Sequence, residues 1–314
     1  YDTAGYAYDV SLYGSYALVA DGYAGLAIVN VSAPASPSLT GSYDTAGWAD
    51  TVTWTGTTAY LADNGVVSLD ISGPATPALT DIYVTLGGYR HAAAQGDLVC
   101  ITSNSNYGGG MAIFDVSNPA LPALLSVTLT GTYPDDVKIS GRYAYIADYW
   151  YGLRIVDLVN PSAPVLVGTY NPAAFVYGLA VSENYAYLAA DTGGLLVVNI
   201  SDPANPLLAG SYDSPGFGYD VAVRGNYAYL ADDSAGVQIV DVSNPASPAR
   251  VGGYNTPGNA RGVDVSGGLL YVADLAAGLL VLDVSSPTSQ SMLAQLVVGG
   301  SNTQDVALSE PYAY

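Results

Sequence analysis

The heptapeptide GLAIVNV (25–31) recurs along the chain with small variations. Its other copies are GVVSLDI (65–71), GMAIFDV (110–116), GLRIVDL (152–158), GLLVVNI (194–200), GVQIVDV (236–242) and GLLVLDV (278–284). A phrase that returns in register over nearly the whole sequence indicates one supersecondary unit that has been copied many times. The repeat therefore decides the fold.

Each repeat contains four short apolar runs, which we name strands a to d. In the sixth repeat they are DVAV (220–223), YAYLAD (227–232), GVQIVDV (236–242) and a run that ends at Tyr254. The Asp or Ser that closes strand b falls at 21, 63, 103, 148, 191, 232 and 274. Four short strands in about 40 to 45 residues are typical of one β-propeller blade. Apolar residues show no helical spacing, which excludes the helical repeats of similar period.

Proline-rich turns connect strand c to strand d. They have the form Asn/Asp-Pro-x-x-Pro at 118–122, 160–164, 202–206 and 244–248. Proline fixes φ and would interrupt a central strand, so these segments are predicted to be turns.

The repeated phrase, with the Ser and Pro that follow it, resembles the LVIVD-repeat family of bacterial and archaeal surface propellers. The resemblance extends over essentially all 314 residues. It implies a β-propeller in an exported or cell-surface protein. It supplies no catalytic motif that can be placed on residues of this chain.

The number of blades is ambiguous in the sequence. Strands c and d occur seven times, but strand a occurs eight times, because QDVALSEPYAY (304–314) aligns with YDVSLYGSYAL (8–18). The chain also begins with YDTAG (1–5), a copy of residues 43–47. We expect a single propeller domain over residues 1–314, cut from a longer polypeptide, with eight blades preferred and the last incomplete. Seven blades with a surplus strand are the alternative.

Composition narrows the possible partners. The 27 acidic and 7 basic residues give a net charge of −20, which disfavours nucleic acid and insertion into anionic membranes. It is compatible with cations, neutral glycans or basic partners. Only 11% of residues are charged and Lys occurs once, which favours an extracellular or cell-surface location. Cys100, the sole cysteine, is predicted to be a small buried hydrophobe.

Aromatic residues concentrate at one end of the predicted blades. The d–a and b–c connections, here called the upper loops, vary between repeats, whereas the a–b and c–d connections, the lower loops, are uniform. Eighteen of the 28 Tyr are repeated strand positions, and nine of the other ten fall on the upper loops or the start of strand a: Tyr6, Tyr8, Tyr23, Tyr89, Tyr107, Tyr149, Tyr151, Tyr177 and Tyr219. Trp48, Trp150, Phe175 and Phe217 join them, so the upper loops are predicted to form a binding surface.

Two columns of residues precede or begin strand a. The first is variable and polar, and it is predicted to surround a ligand-binding funnel with Trp150 and Tyr151 at its rim: Tyr8, Asp50, His91, Asp135, Tyr177, Tyr219 and Arg261. The second holds Asp in half of its copies, including Asp9, Asp136 and Asp220. Its predicted role is to hold loop backbone by Asx-type hydrogen bonds. A Ca²⁺ ion on these carboxylates is the weaker alternative, and no other cofactor is expected.

Signals for catalysis are weak. His91 is the only histidine, and no GxSxG motif is present. We therefore expect a non-catalytic extracellular module that binds or scaffolds a protein or glycan on its upper loops. The first rival is a polysaccharide hydrolase or lyase with His91 as general base. The second is a structural fibre or lattice subunit that self-assembles through its incomplete blade.

Overall fold

A computed structural model describes residues 3–32, 37–63, 65–83, 89–103, 109–118, 121–129, 133–275, 277–296, 305–306, 308–309 and 312–313. Regular structure in this part of the chain consists of β-strands joined by turns. No helix within these ranges is long and apolar enough to cross a membrane.

Seven antiparallel sheets, each of four strands in the order a, b, c, d, form the blades of a β-propeller. The first three consist of β1 (Asp9–Tyr13), β2 (Tyr16–Ala20), β3 (Leu26–Asn30) and β4 (Ser38–Tyr43); β5 (Ala49–Thr55), β6 (Thr58–Asp63), β7 (Val66–Asp70) and β8 (Ala78–Tyr83); and β9 (Tyr89–Gln95), β10 (Leu98–Ser103), β11 (Gly110–Asp115) and β12 (Ala123–Leu129). The fourth and fifth consist of β13 (Pro134–Ser140), β14 (Tyr143–Asp148), β15 (Gly152–Asp157) and β16 (Val165–Tyr170); and β17 (Gly178–Ser182), β18 (Tyr185–Ala189), β19 (Leu195–Asn199) and β20 (Leu207–Tyr212). The last two consist of β21 (Asp220–Arg224), β22 (Tyr227–Ala231), β23 (Val237–Asp241) and β24 (Ala249–Tyr254); and β25 (Gly262–Ser266), β26 (Leu269–Ala273), β27 (Leu279–Asp283) and β28 (Ser291–Leu296).

The seven blades confirm the all-β propeller fold and show that the preference for eight blades was wrong. Beyond blade 7, β29 (Leu308–Ser309) and β30 (Tyr312–Ala313) pair with each other in a two-stranded sheet. The heptapeptide phrase supplies strand c, and this last segment has no copy of it. Residues 304–314 thus add only the a and b runs of the repeat to the seven blades. Gln304, which the sequence aligned with the polar column, lies outside the described residues.

The chain forms two compact units. The first contains the residues up to Ala144 together with Asp157–Val165, and the second contains Tyr145–Val156 and the residues from Leu166 onward. Blades 1 to 3 belong to the first unit and blades 5 to 7 to the second. The strands of blade 4 are divided between them.

The apolar core lies between neighbouring sheets of each unit. In the first unit, Leu18 and Ile28 of blade 1 pack in one cluster with Leu61 and Leu69 of blade 2. Similar clusters join blades 5 and 6, and blades 6 and 7, in the second unit. The repeated phrase supplies much of this packing, since six of its apolar residues are all at most 5% exposed: Ile28, Val29, Ile155, Val156, Ile239 and Val240.

The proline-rich lower turns also hold the blades together, which their sequence did not reveal. A Cβ atom added to Gly168 in strand d of blade 4 would lie 1.9 Å from the carbonyl oxygen of Pro203 in the lower turn of blade 5. A Cβ atom added to Gly252 in blade 6 would likewise lie 2.1 Å from the carbonyl oxygen of Pro287 in blade 7. Each turn thus packs against the outer strand of the preceding blade, where only a residue without a side chain fits.

A β-bulge accompanies this contact. In the six blades whose c–d pairing is described, the register shifts by one residue in the middle of the pair, as between Ile239 and Val240. A bulge bends and twists an outer strand, which reduces its ability to pair with another chain.

Candidate functional site

A buried carboxylate at the end of strand b holds an upper loop in blades 1, 6 and 7. In blade 6, Asp232 accepts hydrogen bonds from the Ser214 hydroxyl at 2.5 Å and from the Gly216 backbone N–H at 3.1 Å. Asp21 accepts the corresponding pair from Thr3 and Gly5, and Asp274 from Thr256 and Gly258. We call this arrangement the loop clamp. Each clamp ties the loop that precedes strand a to the end of strand b.

One member of the predicted series of Asp residues that end strand b was aligned incorrectly. Ala189 pairs with Gly178 as Ala231 pairs with Asp220, so Ala190, not Asp191, is equivalent to Asp232. Asp191 is equivalent to Asp233, and both adopt positive φ angles, of 45° and 49°. Blade 5 therefore has no carboxylate at the clamp position.

The second Asp column joins the first strands of neighbouring blades. The Asp9 carboxylate accepts hydrogen bonds from the Thr51 hydroxyl at 2.5 Å and from the Val52 N–H at 2.8 Å, both in blade 2. Asp220 likewise accepts from the Val263 N–H of blade 7 at 2.9 Å. Both carboxylates also accept from the N–H of the next residue, which differs from the Asx-type bond to the residue two positions on.

Asp136 of the same column lies beside basic groups. Its Oδ1 atom is 3.1 Å from Lys138 Nζ and 3.8 Å from His91 Nδ1. The His91 side chain is 44% exposed, and its backbone N–H donates to the Thr102 hydroxyl. Among the described residues, no group of three or more His, Cys, Asp or Glu side chains is arranged to hold a metal ion.

Five aromatic side chains form an unbroken series in the second unit, which we call the aromatic ribbon. Trp150 contacts Phe175 at 4.4 Å between ring centroids, and Phe175 stacks on Tyr149 at 4.3 Å with an interplanar angle of 10°. Tyr149 contacts Tyr177 at 5.2 Å, and Tyr177 contacts Tyr219 at 4.7 Å. All five lie on upper loops or immediately before strand a, as the sequence predicted.

Two arginines border the ribbon, and each is paired with a carboxylate. The Arg261 guanidinium lies 3.6 Å from the Tyr219 ring centroid and 3.2 Å from Asp233 Oδ1. Arg154 lies 4.6 Å from the Tyr151 ring centroid, and its Nε is 2.8 Å from the fully buried Asp148. These pairs neutralise the guanidinium groups and fix their positions under the rings.

The exposure of the ribbon differs along its length. Trp150 is 52% exposed and the neighbouring Tyr151 is 42% exposed. Tyr177 is partly buried, and burial followed by the contact with Tyr149 raises the pKa of its hydroxyl far above the ordinary value. The Tyr177 hydroxyl therefore stays protonated at neutral pH, while Trp150 and Tyr151 present apolar rings to solvent.

A second aromatic cluster lies in the first unit. Trp48 is surrounded by Tyr6 at 6.4 Å, Tyr8 at 5.3 Å and Tyr23 at 4.1 Å between ring centroids. We call these four residues the Trp48 cluster. Burial, and then the neighbouring Asp50, raise the pKa of Tyr8.

The predicted polar column is thus distributed over the two units. Tyr8, Asp50, His91 and Asp135 belong to the first, and Tyr177, Tyr219 and Arg261 belong to the second. In the second unit, Tyr219 contacts both Tyr177 and Arg261. In the first unit, Asp50 raises the pKa of Tyr8. That the whole column surrounds one funnel stays a prediction. The sequence placed Tyr6, Tyr23, Trp48, Tyr149 and Phe175 on the upper loops but outside this column. It did not assign Arg154 or Asp233 to the binding surface. Arg154 carried a signal, since it replaces a residue that is uncharged in every other copy of the heptapeptide.

Sequence comparison supports the reading of the repeats. The profile of the LVIVD repeat matches residues 4–45, 46–85, 87–130, 131–172, 176–214, 215–256 and 257–296. No curated protein sequence shows significant similarity to the chain.

Comparison of structures shows the fold. The chain is similar to Sqt1 of Saccharomyces cerevisiae, with a TM-score of 0.81, 10% identity and coverage of 100% of this chain and 91% of that one. It is equally similar to the computationally designed protein Ika8, with a TM-score of 0.81, 9% identity and coverage of 99% and 93%. For BamB of Moraxella catarrhalis the TM-score is 0.67, the identity 15% and the coverage 90% and 84%. At these identities the likeness concerns the fold alone.

Proposed function

The chain belongs to the LVIVD-repeat family, and from that premise we propose that it is a non-catalytic binding module of an extracellular or cell-surface protein. Its ligand binds to the upper loops, on the aromatic ribbon of the second unit. The observation that carries this proposal is the continuous contact of five rings, which ends in a half-exposed Trp150. Partly exposed, closely packed aromatic side chains supply rigid apolar contact area with polar edges.

The electrostatics of the ribbon favour an uncharged ligand surface, such as a neutral glycan. Both arginines beside it are paired with carboxylates, and the whole chain carries a net charge of −20. Polyanions would be repelled by that charge. Sugar rings can instead place their C–H faces on Trp150 and Tyr151 while their hydroxyl groups reach polar groups nearby.

Binding to a glycan array tests this proposal. We expect the variant with both Trp150→Ala and Tyr151→Ala to lose binding, because Trp150 is the exposed end of the ribbon and Tyr151 is the exposed ring next to it in the chain. Val159→Ala is a matched control, since Val159 is an apolar residue on a lower turn and is 71% exposed. Equal binding by the wild type and the double variant would refute the assignment, and so would loss of binding in the control.

The enzyme alternative depends on one observation. His91 lies 3.8 Å from Asp136, an arrangement in which the carboxylate could orient the imidazole as a general base. Polysaccharide turnover that is present in the wild type and absent in His91→Ala would favour this alternative over the binding module.

A further inference from the structure

The Trp48 cluster differs from the ribbon in the charges around it. The first 89 residues, which include all of blades 1 and 2, contain eight Asp and no Lys, Arg or His. The three guanidinium–ring contacts found among the described residues involve Tyr143, Tyr151 and Tyr219, all outside the cluster. The protein thus places its own cations on aromatic rings elsewhere but supplies none from the sequence that builds this cluster.

The cluster is held in place from three chain segments. Tyr6 and Tyr8 precede strand a of blade 1, Tyr23 lies in the b–c turn of the same blade, and Trp48 lies on the loop that enters blade 2. Backbone hydrogen bonds between Gly22 and Ala49, of 3.0 and 3.2 Å, join the turn to the Trp48 loop. Paired backbone therefore holds the residues next to Tyr23 and Trp48 together.

The cluster is also accessible. Tyr23 is 65% exposed and Tyr6 is 54% exposed. Both line a groove of about 510 Å³ whose other walls are Thr3, Ala4, Gly5 and Ala24. The Asp21 carboxylate accepts the clamp hydrogen bonds from Thr3 and Gly5, two residues of this groove. The groove consequently offers aromatic faces and small side chains, with Asp50 acting on Tyr8 from beside the cluster.

We propose that the Trp48 cluster binds a quaternary ammonium group, of the kind that choline carries. A cation within about 6 Å of several ring centroids is attracted by their quadrupoles, and the negative charge of the first 89 residues, with Asp50 acting on Tyr8, adds a favourable field. A quaternary ammonium group has no N–H to donate, so it enters an aromatic groove without leaving hydrogen bonds unsatisfied. A primary ammonium or a guanidinium would need oxygen acceptors to replace its hydration. This site is separate from the ribbon, and the inference does not depend on the function proposed above.

Titration with small probes tests the chemistry of the site. Binding of choline chloride to the full chain is measured by ligand-observed NMR, beside its neutral carbon isostere dimethylbutanol, butylammonium and arginine amide. We expect choline to bind at least tenfold more tightly than the isostere, because the rings contribute through the cation. Equal affinity for the isostere would show an apolar groove with no preference for charge. Equal or tighter binding of butylammonium or arginine amide would show a site that recognises N–H donors. Either result overturns the proposal.

Substitutions locate the site. Tyr6→Ala and Tyr23→Ala should each weaken choline binding by about tenfold, the effect of losing one cation–π contact. Tyr23→Phe keeps the ring and should retain affinity within about twofold, which separates loss of the ring from disturbance of the fold. Tyr151→Ala is the matched control, since it removes an exposed tyrosine of the second unit and should leave choline binding unchanged. Full affinity in Tyr23→Ala, or equal loss in Tyr151→Ala, would overturn the assignment.

Loss of glycan binding in the ribbon variants and loss of choline binding in the cluster variants are separate outcomes. A chain that binds choline and no glycan would refute the proposed function and leave this inference intact. The reverse result would refute the inference alone.

Discussion

Replacement of Asp232 by Ala should destabilise the protein by removing one loop clamp. Asp232 is fully buried and accepts hydrogen bonds from Ser214 Oγ at 2.5 Å and from the Gly216 N–H at 3.1 Å. Ser214 itself is only 8% exposed, so its hydroxyl has little access to water once the carboxylate is gone. The variant therefore leaves polar groups unsatisfied in a buried environment.

The expected loss of stability in Asp232→Ala is the difference between two opposing effects. Hydrogen bonds to a charged group contribute about 1.5–3 kcal/mol each, so two of them suggest a loss of about 3–6 kcal/mol. Burial, however, is the largest cause of the raised pKa of Asp232, which means that the carboxylate is desolvated in the folded state. Removing the group relieves this cost. We expect a net loss of about 2–4 kcal/mol in the free energy of unfolding.

Urea denaturation at pH 7 measures this loss of stability. A double-mutant cycle with Ser214→Ala shows how much of the loss comes from the interaction between Asp232 and Ser214. The coupling energy between the two positions should be about 1–3 kcal/mol, because they share one hydrogen bond. Asp70→Ala is the matched control: Asp70 is exposed and accepts from the Ser72 N–H, so its loss should cost about 0.5 kcal/mol or less. A cost for Asp232→Ala as small as that of the control, or strictly additive effects in the cycle, would refute the reasoning.

Three further predictions concern stability. Burial raises the pKa of Asp232 above its ordinary value of 3.8, so the part of its stabilising contribution that depends on protonation is complete below that value and is lost as the pH rises through the folded pKa. The cost of Asp232→Ala should thus be larger at about pH 4 than at pH 7, and a cost that grows with pH would contradict this sign. Gly168→Ala should cost about 1–3 kcal/mol in urea denaturation, because its Cβ would lie 1.9 Å from the Pro203 carbonyl oxygen. Gly73→Ala, whose nearest contact would be at 3.4 Å, should be nearly neutral, and equal losses of stability in the two variants would exclude the lower-turn contact as the cause. Val240→Asp should cost about 4 kcal/mol or more, because it places an unpaired charge at a fully buried site. A thermal unfolding temperature equal to that of Val159→Asp, on the exposed lower turn, would show that Val240 is not buried.

The strands could be predicted from sequence because their signal is repeated seven times. The phrase around Ile239 and Val240 marks strand c in every blade, and both residues are buried as expected. The blade number could not be read in the same way. Residues 304–314 copy strands a and b well, but an alignment does not say whether strands c and d will join them. The structure pairs β29 with β30, as strands a and b pair in each of the seven blades.

Contacts between blades were the feature that the sequence predicted least well. Asp9 and Asp220 were expected to bond within their own loop, and they do, but each also accepts from strand a of the next blade. Similarly, the glycine of strand d gave no sign that a turn of the following repeat would lie against it. A single repeat contains no information on which of its atoms meet the next copy. Only the packing of successive sheets brings residues about 43 positions apart together.

The error at Asp191 has a specific physical origin. Blade 6 ends strand b with two adjacent Asp residues, Asp232 in the clamp and Asp233 at a positive φ angle. Blade 5 has only the second of them, so an alignment by residue type shifts Asp191 onto the clamp position. The pairing of strands a and b corrects this, because it fixes Ala190 as the equivalent residue.

The clamp position differs in the two blades at which the aromatic ribbon begins. In blade 4, Asp148 pairs with Arg154, which lies against Tyr151. In blade 5, Ala190 replaces the carboxylate, and the loop that would have been clamped carries Phe175, stacked on Tyr149. Ring packing thus takes the place of a hydrogen-bonded carboxylate as the interaction that orders the loop. A repeat protein in which every copy were equally well clamped would present seven similar loops. Departure from the repeat at blades 4 and 5 produces an asymmetric surface, and departures from a local rule are expected where a binding site is built.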